Sequence, residues 1–327
     1  MKKFAKQGLS LLMALVMCLS VLSGISFVAE AQTVDYVYAG NYIKNWGTRD
    51  TIATFLSPNA EAFYEDNGTS YEELAALSGA STTSSVPFSE LYQELKSLMT
   101  SNHTTQTSYD GTRDLYQYTD CQNSGKVSSK ISSFYSGAAI GPDWDSGATW
   151  NREHTWPNSK GLNDRDEDDI MMLRPTAKSE NSSRGNKAYG ESADYYDPNG
   201  LGMTLRGDVA RIMLYQYIRW GNTSYMWGAD GVMESKAVLL KWMEEDPVDT
   251  WELGRNDSVE SITGTRNVFV DFPELAFLLF NEEIPSDYTT PSGSARRPLR
   301  TERLRQSPPQ TTRLTSGFQP SFTQSSR

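Results

Sequence analysis

The sequence predicts an α+β protein in which helices dominate and strands are short. Residues 88–101 (FSELYQELKSLMTS) and 206–220 (RGDVARIMLYQYIRW) repeat apolar side chains at helical spacing. Residues 112–140 instead contain short runs bearing Tyr and Ile, broken by Asn-Ser-Gly-Lys at 123–126, which predicts strands joined by a turn. Together these patterns favour a mainly helical domain with a small sheet component.

Individual helices are predicted from apolar faces and capping residues. In the first, Leu91, Leu95 and Leu98 share a face, and Ser89 stands where an N-cap is needed. Residues 171–190 predict a turn that enters a short helix. The helix at 206–220 is predicted to be amphipathic, with an apolar face made of Val209, Ile212, Met213, Tyr217 and Trp220.

The C-terminal part of the predicted fold contains three further segments. Two helices are expected at 232–246 and 247–262, with Pro247 separating them and starting the second. The segment FPELAFLLF at 272–280 is expected to close the fold. In this region we expect ion pairs that fasten the last helices and involve Arg255, Arg266 and Asp271, with substrate contact as the alternative.

Domain boundaries are predicted from shifts in composition. Residues 1–31 are typical of a signal peptide, because lysines precede an apolar run and Ala29-Glu30-Ala31 offers a cleavage site. Residues 32–87 are predicted to be an N-terminal extension that ends in a Ser/Thr/Gly-rich linker. The main domain is predicted at 88–284, and the Arg/Ser/Thr/Pro-rich tail at 285–327 is predicted to be disordered.

Charge and cysteine content narrow the function classes. The formal net charge is −11, and because both ends are net positive, the acidic excess lies in residues 32–284. Such a body repels polyanions as a whole, so a nucleic-acid function requires a local site with a bound cation. Cys121 is the only cysteine after the signal peptide, which excludes an internal disulfide and predicts an inert thiol.

The stretch NREHTWPNSKG at 151–161 places Glu153 beside His154, one of only two histidines. A carboxylate binds hard divalent cations, and an imidazole is the usual general base. Neighbouring side chains on a regular strand point to opposite faces, so we expect the irregular backbone favoured by Pro157 and Gly161 to bring them together. A zinc protease needs two histidines one helical turn apart, and the other histidine, His103, lies far upstream in a polar loop.

A second block, RPTAKSENSSRGNKAYG at 174–190, supplies amides and cations. Asn181 and Asn186 carry amide oxygens that can complete a Mg²⁺ or Ca²⁺ shell, while arginine forks match phosphate oxygens. Each feature also has a structural explanation on its own. A lone Glu-His pair is commonly a hydrogen-bonded pair, an Asn is often a cap, and the acidic loop at 163–169 is typical of solvated surface.

These two blocks, followed by DPVDTWELGRNDSVESITGTRNVFVDFPEL at 246–275, resemble the bacterial endonuclease I family of secreted nonspecific nucleases. The similarity runs from about Phe88 to Phe280 in three ordered blocks. It implies a His-Me finger (ββα-metal) nuclease core embedded in the mainly helical α+β domain.

The resemblance also implies roles for individual residues. His154 would be the general base that activates water, and Glu153 and Asn181 would ligate a single Mg²⁺ or Ca²⁺. Arg184 falls on the arginine of the family's Asn-x-x-Arg pattern, with a role in positioning or phosphate contact. Further candidates for phosphate contact are Arg165, Arg174 and Lys187.

The chain departs from the family pattern just before Leu173. Many members have Asp-Leu-His-His or Asp-Leu-His-Asn where this chain has Asp169-Ile170-Met171-Met172. Any support that this histidine gives elsewhere must therefore be absent or supplied differently.

The resemblance implies a secreted, metal-dependent endonuclease that hydrolyses DNA and RNA without sequence preference and leaves 5′-phosphate ends. We expect a monomer without stable membrane insertion after signal cleavage. The alternative is a secreted surface or polymer-binding protein on the same fold with weakened catalysis, and the missing histidine at Met171 is the only feature that favours it.

Overall fold

The computed structural model describes residues 33–79, 86–122 and 130–293. The predicted signal peptide, most of the predicted linker, the predicted turn at 123–126 and most of the predicted tail lie outside the described residues. Within them the protein is α+β, with helices and three small antiparallel sheets, as the sequence predicts.

Each sheet has two antiparallel strands. The strands pair in chain order and are β1 (Tyr38–Ala39), β2 (Tyr42–Ile43), β3 (Ile131–Ser132), β4 (Ala139–Ile140), β5 (Trp150–His154) and β6 (Leu173–Ala177). The α-helices are α1 (Pro58–Asp66), α2 (Tyr71–Ala76), α3 (Glu90–Ser101), α4 (Thr112–Thr119), α5 (Lys178–Arg184), α6 (Arg206–Tyr215), α7 (Lys236–Glu245), α8 (Thr250–Thr263), α9 (Val268–Asp271) and α10 (Leu275–Leu279). Short 3₁₀ segments occur at Leu77–Gly79, Val86–Phe88 and Pro198–Leu201.

Helix α3 forms as predicted. The Ser89 side chain accepts a hydrogen bond from the backbone N–H of Tyr92, and Leu91, Leu95 and Leu98 are buried. An N-cap of this kind satisfies one of the donors that the first helical turn leaves without an intrahelical partner. The predicted cap and apolar face are confirmed.

The prediction of strands throughout residues 112–140 is wrong for its first part. Residues 112–119 form α4, and Thr112, Tyr116 and Thr119 are buried at spacings of four and three residues. That spacing places side chains on one face of a helix. Strands appear only later, as β3 and β4.

Helix α6 is present, but the prediction that it is amphipathic is wrong. Residues 207–215 are all buried, and the helix continues as a π-helical turn at Gln216–Trp220. The charged residues of this helix are paired inside the protein, Asp208 with Arg49 at 2.7 Å and Arg211 with Glu252 at 2.6 Å. Paired charges let this helix run through the core instead of along its surface.

The C-terminal helices follow the prediction with one shift. Helices α7 and α8 are confirmed, but α8 is capped by Asp249, which accepts from the N–H of Glu252, and not started by Pro247. Helix α8 ends at Thr263 because Gly264 adopts a φ of +82°, a left-handed conformation that glycine takes without strain.

The predicted N-terminal extension contributes to the main core. Phe63 and Tyr64 of α1 and Tyr71 of α2 belong to the same hydrophobic cluster as α3, α6 and α10. Tyr64 also donates a 2.8 Å hydrogen bond to Asp271. The boundary near 80–87 stays a prediction, but helices on both sides of it share one core.

Two further expectations concern Cys121 and membranes. Cys121 is buried, and burial raises the pKa of its thiol to about 11, in agreement with an inert thiol. Among the described helices, none combines the length and the apolar character that crossing a bilayer would require.

Candidate active site

Strands β5 and β6 and helix α5 build the candidate site. The two strands pair in register from Trp150 opposite Ala177 to His154 opposite Leu173. Pro157 follows β5 closely and, lacking an N–H, cannot extend the ladder. Helix α5 begins directly after β6 at Lys178. The short helix at 178–184 is as predicted, whereas residues 173–177 form a strand and not the predicted turn.

The carboxylate of Glu153 is buried, with the residue 2% exposed. Its Oε1 accepts a 2.7 Å hydrogen bond from the Tyr135 hydroxyl and a 3.1 Å bond from Nη1 of Arg184. Burial raises the pKa of Glu153, while the charge of Arg184 and the Tyr135 hydrogen bond act in the opposite direction. Among the described residues no hydrogen bond engages Oε2, so one oxygen is fixed and the other is open.

Arg184 holds the end of β5 and does not face outward. Besides Glu153, its Nη1 donates to the His154 carbonyl at 2.9 Å, and its Nη2 donates to the Thr155 carbonyl at 2.7 Å. The guanidinium also lies 4.6 Å from the centroid of the Tyr189 ring, and the residue is 1% exposed. These contacts suit a positioning residue, whereas the alternative role in phosphate contact stays a prediction.

The imidazole of His154 is neutral and has one nitrogen free. The Glu167 backbone carbonyl acts on His154 as a hydrogen-bond acceptor, and Nε2 is buried without a partner among the described residues, which favours Nδ1 as the protonated nitrogen. Burial and, to a smaller extent, the charges of Arg152 and Arg184 lower the pKa of His154 to about 4, while the Glu167 backbone carbonyl acts in the opposite direction. At neutral pH, Nε2 is therefore an unprotonated acceptor.

Tyr109, in the loop before α4, packs against the imidazole of His154. The rings of Tyr109 and His154 are nearly parallel, with centroids 5.4 Å apart and an interplanar angle of 16°. A neighbour in the same loop, Thr107, donates to the Asp168 carbonyl at 2.5 Å and accepts from the N–H of Ile170 at 3.2 Å. The loop at 107–109 thus holds both the ring and the acidic segment that supplies the Glu167 carbonyl.

The side chains of Glu153 and His154 do not converge as the sequence suggested. Pairing is regular through His154, so the two side chains leave opposite faces of β5. Arg184 links them indirectly, through the Glu153 carboxylate and the His154 carbonyl. The irregular backbone near Pro157 begins only after this pair.

Asn181 lies on α5, three residues before Arg184. Residues three apart share one face of a helix, so Asn181 faces the same way as the arginine that reaches Glu153. Among the described residues no hydrogen bond engages its amide. The described residues contain no group of three or more His, Cys, Asp or Glu placed to hold a metal ion. The predicted ligand set instead consists of one carboxylate and one amide.

The three candidates for phosphate contact differ in placement. Arg174 is buried, with Nη1 3.2 Å from Asp120 and Nη2 3.7 Å from Asp208, so its placement fits a structural ion pair and not the predicted phosphate contact. Arg165 and Lys187 are exposed. Arg165 extends over the Trp220 ring, 5.9 Å from its centroid.

The segment that departs from the family pattern is part of the core. Met171 and Met172 are buried, and the Asp169 carboxylate accepts from the Tyr215 hydroxyl at 2.9 Å and from Trp220 Nε1 at 2.8 Å. Arg255 donates to the Ile170 carbonyl at 2.7 Å. Apolar packing and these polar contacts fix this segment without a histidine.

Sequence reasoning missed three contributors to the site: Tyr135, Tyr109 and the Glu167 carbonyl. Tyr135 follows the short strand β3, and Tyr109 lies in a polar loop, so neither stands in a motif. Only the tertiary fold brings them to β5. A tyrosine between two serine-rich runs carries no signal that would have revealed its contact with Glu153.

These elements define a mixed α+β protein whose candidate site combines a buried carboxylate, a neutral imidazole with a free nitrogen and a buried positioning arginine. The chain belongs to the endonuclease I family, because the family model described as Endonuclease I matches residues 87–205 and 202–274, more than half of the chain. The resemblance found in the three sequence blocks is confirmed.

Two curated relatives are similar to part of the chain. An extracellular ribonuclease of Bacillus amyloliquefaciens is 34% identical over 151 residues, which cover 39% of this chain and 52% of that relative. An extracellular ribonuclease of Bacillus subtilis (strain 168) is 33% identical over 151 residues, with the same two coverages. The chain therefore spans about half the length of the curated relatives that it matches.

Proposed function

We propose that this chain is a secreted, metal-dependent endonuclease that hydrolyses phosphodiester bonds of DNA and RNA without sequence preference. In this proposal β5, β6 and α5 are its His-Me finger, His154 is the general base, and Glu153 and Asn181 hold one Mg²⁺ or Ca²⁺. Membership of the endonuclease I family and the similarity to two extracellular ribonucleases support the reaction class and secretion.

The observation that carries the proposal is the state of His154. The Glu167 carbonyl favours a proton on Nδ1, Nε2 is buried without a partner among the described residues, and the low pKa of the imidazole keeps it neutral at neutral pH. A fixed tautomer with a free acceptor is what a general base requires. Water attacks phosphorus as Nε2 takes its proton, the bond from phosphorus to the 3′ oxygen breaks, and the leaving 3′ oxygen takes a proton from solvent water, so that a 5′-phosphate and a 3′-hydroxyl result.

The donor set suits a hard divalent cation. Glu153 offers Oε2 while Tyr135 and Arg184 hold Oε1, and Asn181 offers an amide oxygen on the α5 face that bears Arg184. One carboxylate with one neutral oxygen matches a Mg²⁺ site that keeps several waters. When bound, the cation would neutralise charge on the phosphoryl oxygens. Arg184 keeps Glu153 and the end of β5 in place.

The first experiment compares the two histidines of the chain. His154→Ala should lower the hydrolysis rate of DNA and RNA by about 10² to 10⁴ while the protein remains folded, as expected on removal of a general base. His103→Gln is the matched control, because His103 contacts Arg219 at 3.0 Å and Trp220 but no residue of the candidate site. A His154→Ala protein that cuts at the parental rate would refute the assignment.

The second part of this experiment tests the cation and the alternative function. Hydrolysis should stop on addition of a chelator and return with Mg²⁺ or Ca²⁺. A folded chain that binds nucleic acid under these conditions without cutting it would instead support the polymer-binding alternative.

A further inference from the structure

Aromatic rings and guanidinium groups alternate in a row that begins at His154. The Tyr109 ring lies against the imidazole, and the Arg152 guanidinium carbon is 3.5 Å from the Tyr109 ring centroid. The same Arg152 carbon is 4.8 Å from the Trp144 ring centroid, and that of Arg113 is 5.4 Å from it. We call Tyr109, Arg152, Trp144 and Arg113 the Arg-aromatic column.

The column is held by buried contacts and is partly exposed from Tyr109 to its outer end at Trp144 and Arg113. Arg152 is buried and donates to the Tyr109 carbonyl at 2.7 Å, while Trp144 packs edge to face on the buried Trp150 ring, with centroids 4.9 Å apart. Tyr109 is 37% exposed, Trp144 is half-buried and the Arg113 side chain is 27% exposed. Flat groups in fixed positions lose little conformational freedom when another ring stacks on them.

Attraction between charges would not by itself hold a nucleic-acid strand at the column. Asp110 pairs with Arg152 at 2.8 Å and with Arg113 at 3.4 Å, and the surrounding body of the protein is acidic. Phosphate attraction is therefore partly cancelled, whereas ring and guanidinium faces remain suited to stacking. Stacking requires a base whose face is free, and bases within a duplex are already stacked on each other.

We propose that the outer end of the Arg-aromatic column, formed by Trp144 and Arg113, is a subsite for an unpaired base of the substrate strand. It gives the protein a preference for single-stranded over double-stranded nucleic acid. The inference rests on the proposed function, because the subsite serves a strand whose phosphate lies near His154. Tyr109 connects the two, since its ring contacts both the imidazole and Arg152.

The test measures binding without cleavage. In the His154→Ala background, a fluorescein-labelled 12-nucleotide single strand is titrated by anisotropy, beside a duplex of the same sequence. Trp144→Leu should weaken single-strand binding on the order of tenfold and change duplex binding less than twofold. The loss should be the same at low and high salt, because stacking releases no counterions.

Control variants separate stacking from folding and from charge. Trp144→Phe keeps a ring and should retain most of the affinity, while Tyr38→Ala, at a 60% exposed tyrosine of β1, should leave binding unchanged. If Trp144→Leu unfolds, Arg113→Ala at the exposed end serves instead and should also weaken single-strand binding selectively. Thermal unfolding of each variant verifies the fold.

The outcomes separate the inference from the function on which it rests. Equal losses for single strand and duplex, or single-strand affinity within twofold of the parent in both Trp144→Leu and Arg113→Ala, would overturn the subsite. Absence of hydrolysis by the unsubstituted chain would refute the nuclease proposal, and it is measured in a different assay. Tighter duplex than single-strand binding by the parent would also overturn the preference.

Discussion

Arg184 and Arg266 are both fully buried arginines that pair with carboxylates, yet their surroundings differ. Arg266 pairs with three acids, Asp257, Glu260 and Asp271. Among the described residues, Arg184 has Glu153 as its one carboxylate partner and donates its other hydrogen bonds to the backbone carbonyls of His154 and Thr155. The comparison shows how a structural charge network differs from a candidate catalytic one.

The network around Arg266 is complete. Both Asp271 oxygens accept from Arg266, at 2.8 and 2.9 Å, and Asp257 accepts from Arg266 at 2.7 Å. Side chains of the N-terminal region supply the remaining donors to Asp257: Ser57, Trp46 and Tyr36. Among the described residues, no buried side-chain nitrogen or oxygen of Arg266, Asp257 or Asp271 lacks a partner.

The surroundings of Arg184 are incomplete in the same sense. Arg184 Nε and His154 Nε2 are buried without partners among the described residues. The hydrogen bonds that Glu153 accepts from Tyr135 and Arg184 both end on Oε1 and leave Oε2 to another partner. Native interiors rarely leave buried polar atoms unpaired without a reason. Of the two buried arginine clusters, the one around Arg184 has acceptors without partners in the described part of the chain, so water, cation and substrate are expected there and not at Arg266.

The largest expected effect is on stability at the complete network. Arg266→Ala leaves three carboxylates without their cation and should cost about 3 to 5 kcal/mol in the free energy of unfolding. Denaturant titration measures this loss. The variant should still fold, because native proteins are typically stable by about 5 to 15 kcal/mol. Hydrolysis per folded molecule should remain near the parental value. Arg184→Ala should cost a similar amount but also reduce the rate of the folded fraction. Equal rates per folded molecule in the two variants would remove the distinction.

Divalent cation should stabilise the incomplete cluster, and Asn181 should be required for it. A ligand at a hundred times its dissociation constant stabilises the native state by about 2.7 kcal/mol. Thermal unfolding with and without Mg²⁺ should therefore show a rise in midpoint temperature that Asn181→Ala loses. Asn186→Ala, at an exposed amide just beyond α5, should keep it. The same rise in both variants would contradict Asn181 as a ligand.

The sequence predicts features that depend on local contacts better than features that depend on contacts between distant parts of the chain. The Ser89 cap, the leucine face of α3 and helices α7 and α8 depend on neighbours in the chain, and the sequence predicts them correctly. The ion pair of Arg266 with Asp271, five residues apart, is confirmed for the same reason. Arg255 also forms an ion pair as predicted, but its partner is Asp120, which no local pattern indicates.

The site is predictable only in part, for a physical reason. Glu153, His154 and Asn181 stand out through residue type and order, but their supports come from segments that only the tertiary fold brings together. Arg174 illustrates the limit. Its position in the motif suggested phosphate, whereas burial beside Asp120 makes it structural. The wrong prediction of an amphipathic α6 has a similar cause, because a sequence does not show that Asp208 and Arg211 have buried partners.

The smallest expected effect comes from one hydroxyl group in each cluster. Tyr135 donates to Glu153 at 2.7 Å, and Tyr64 donates to Asp271 at 2.8 Å; both tyrosines are buried. Tyr135→Phe and Tyr64→Phe should each cost on the order of 1.5 kcal/mol in the free energy of unfolding, as for a hydrogen bond to a charged group.

Only Tyr135→Phe should also slow hydrolysis, because Glu153 loses a donor that fixes Oε1 and keeps Oε2 open. Tyr64→Phe removes one of several donors to Asp271, which contacts no residue of the candidate site. The decisive measurement is kcat at saturating Mg²⁺ for both variants, set beside the loss in the free energy of unfolding of each. A Tyr135→Phe protein with parental kcat would mean that Arg184 alone positions Glu153, and that the tyrosine serves only packing.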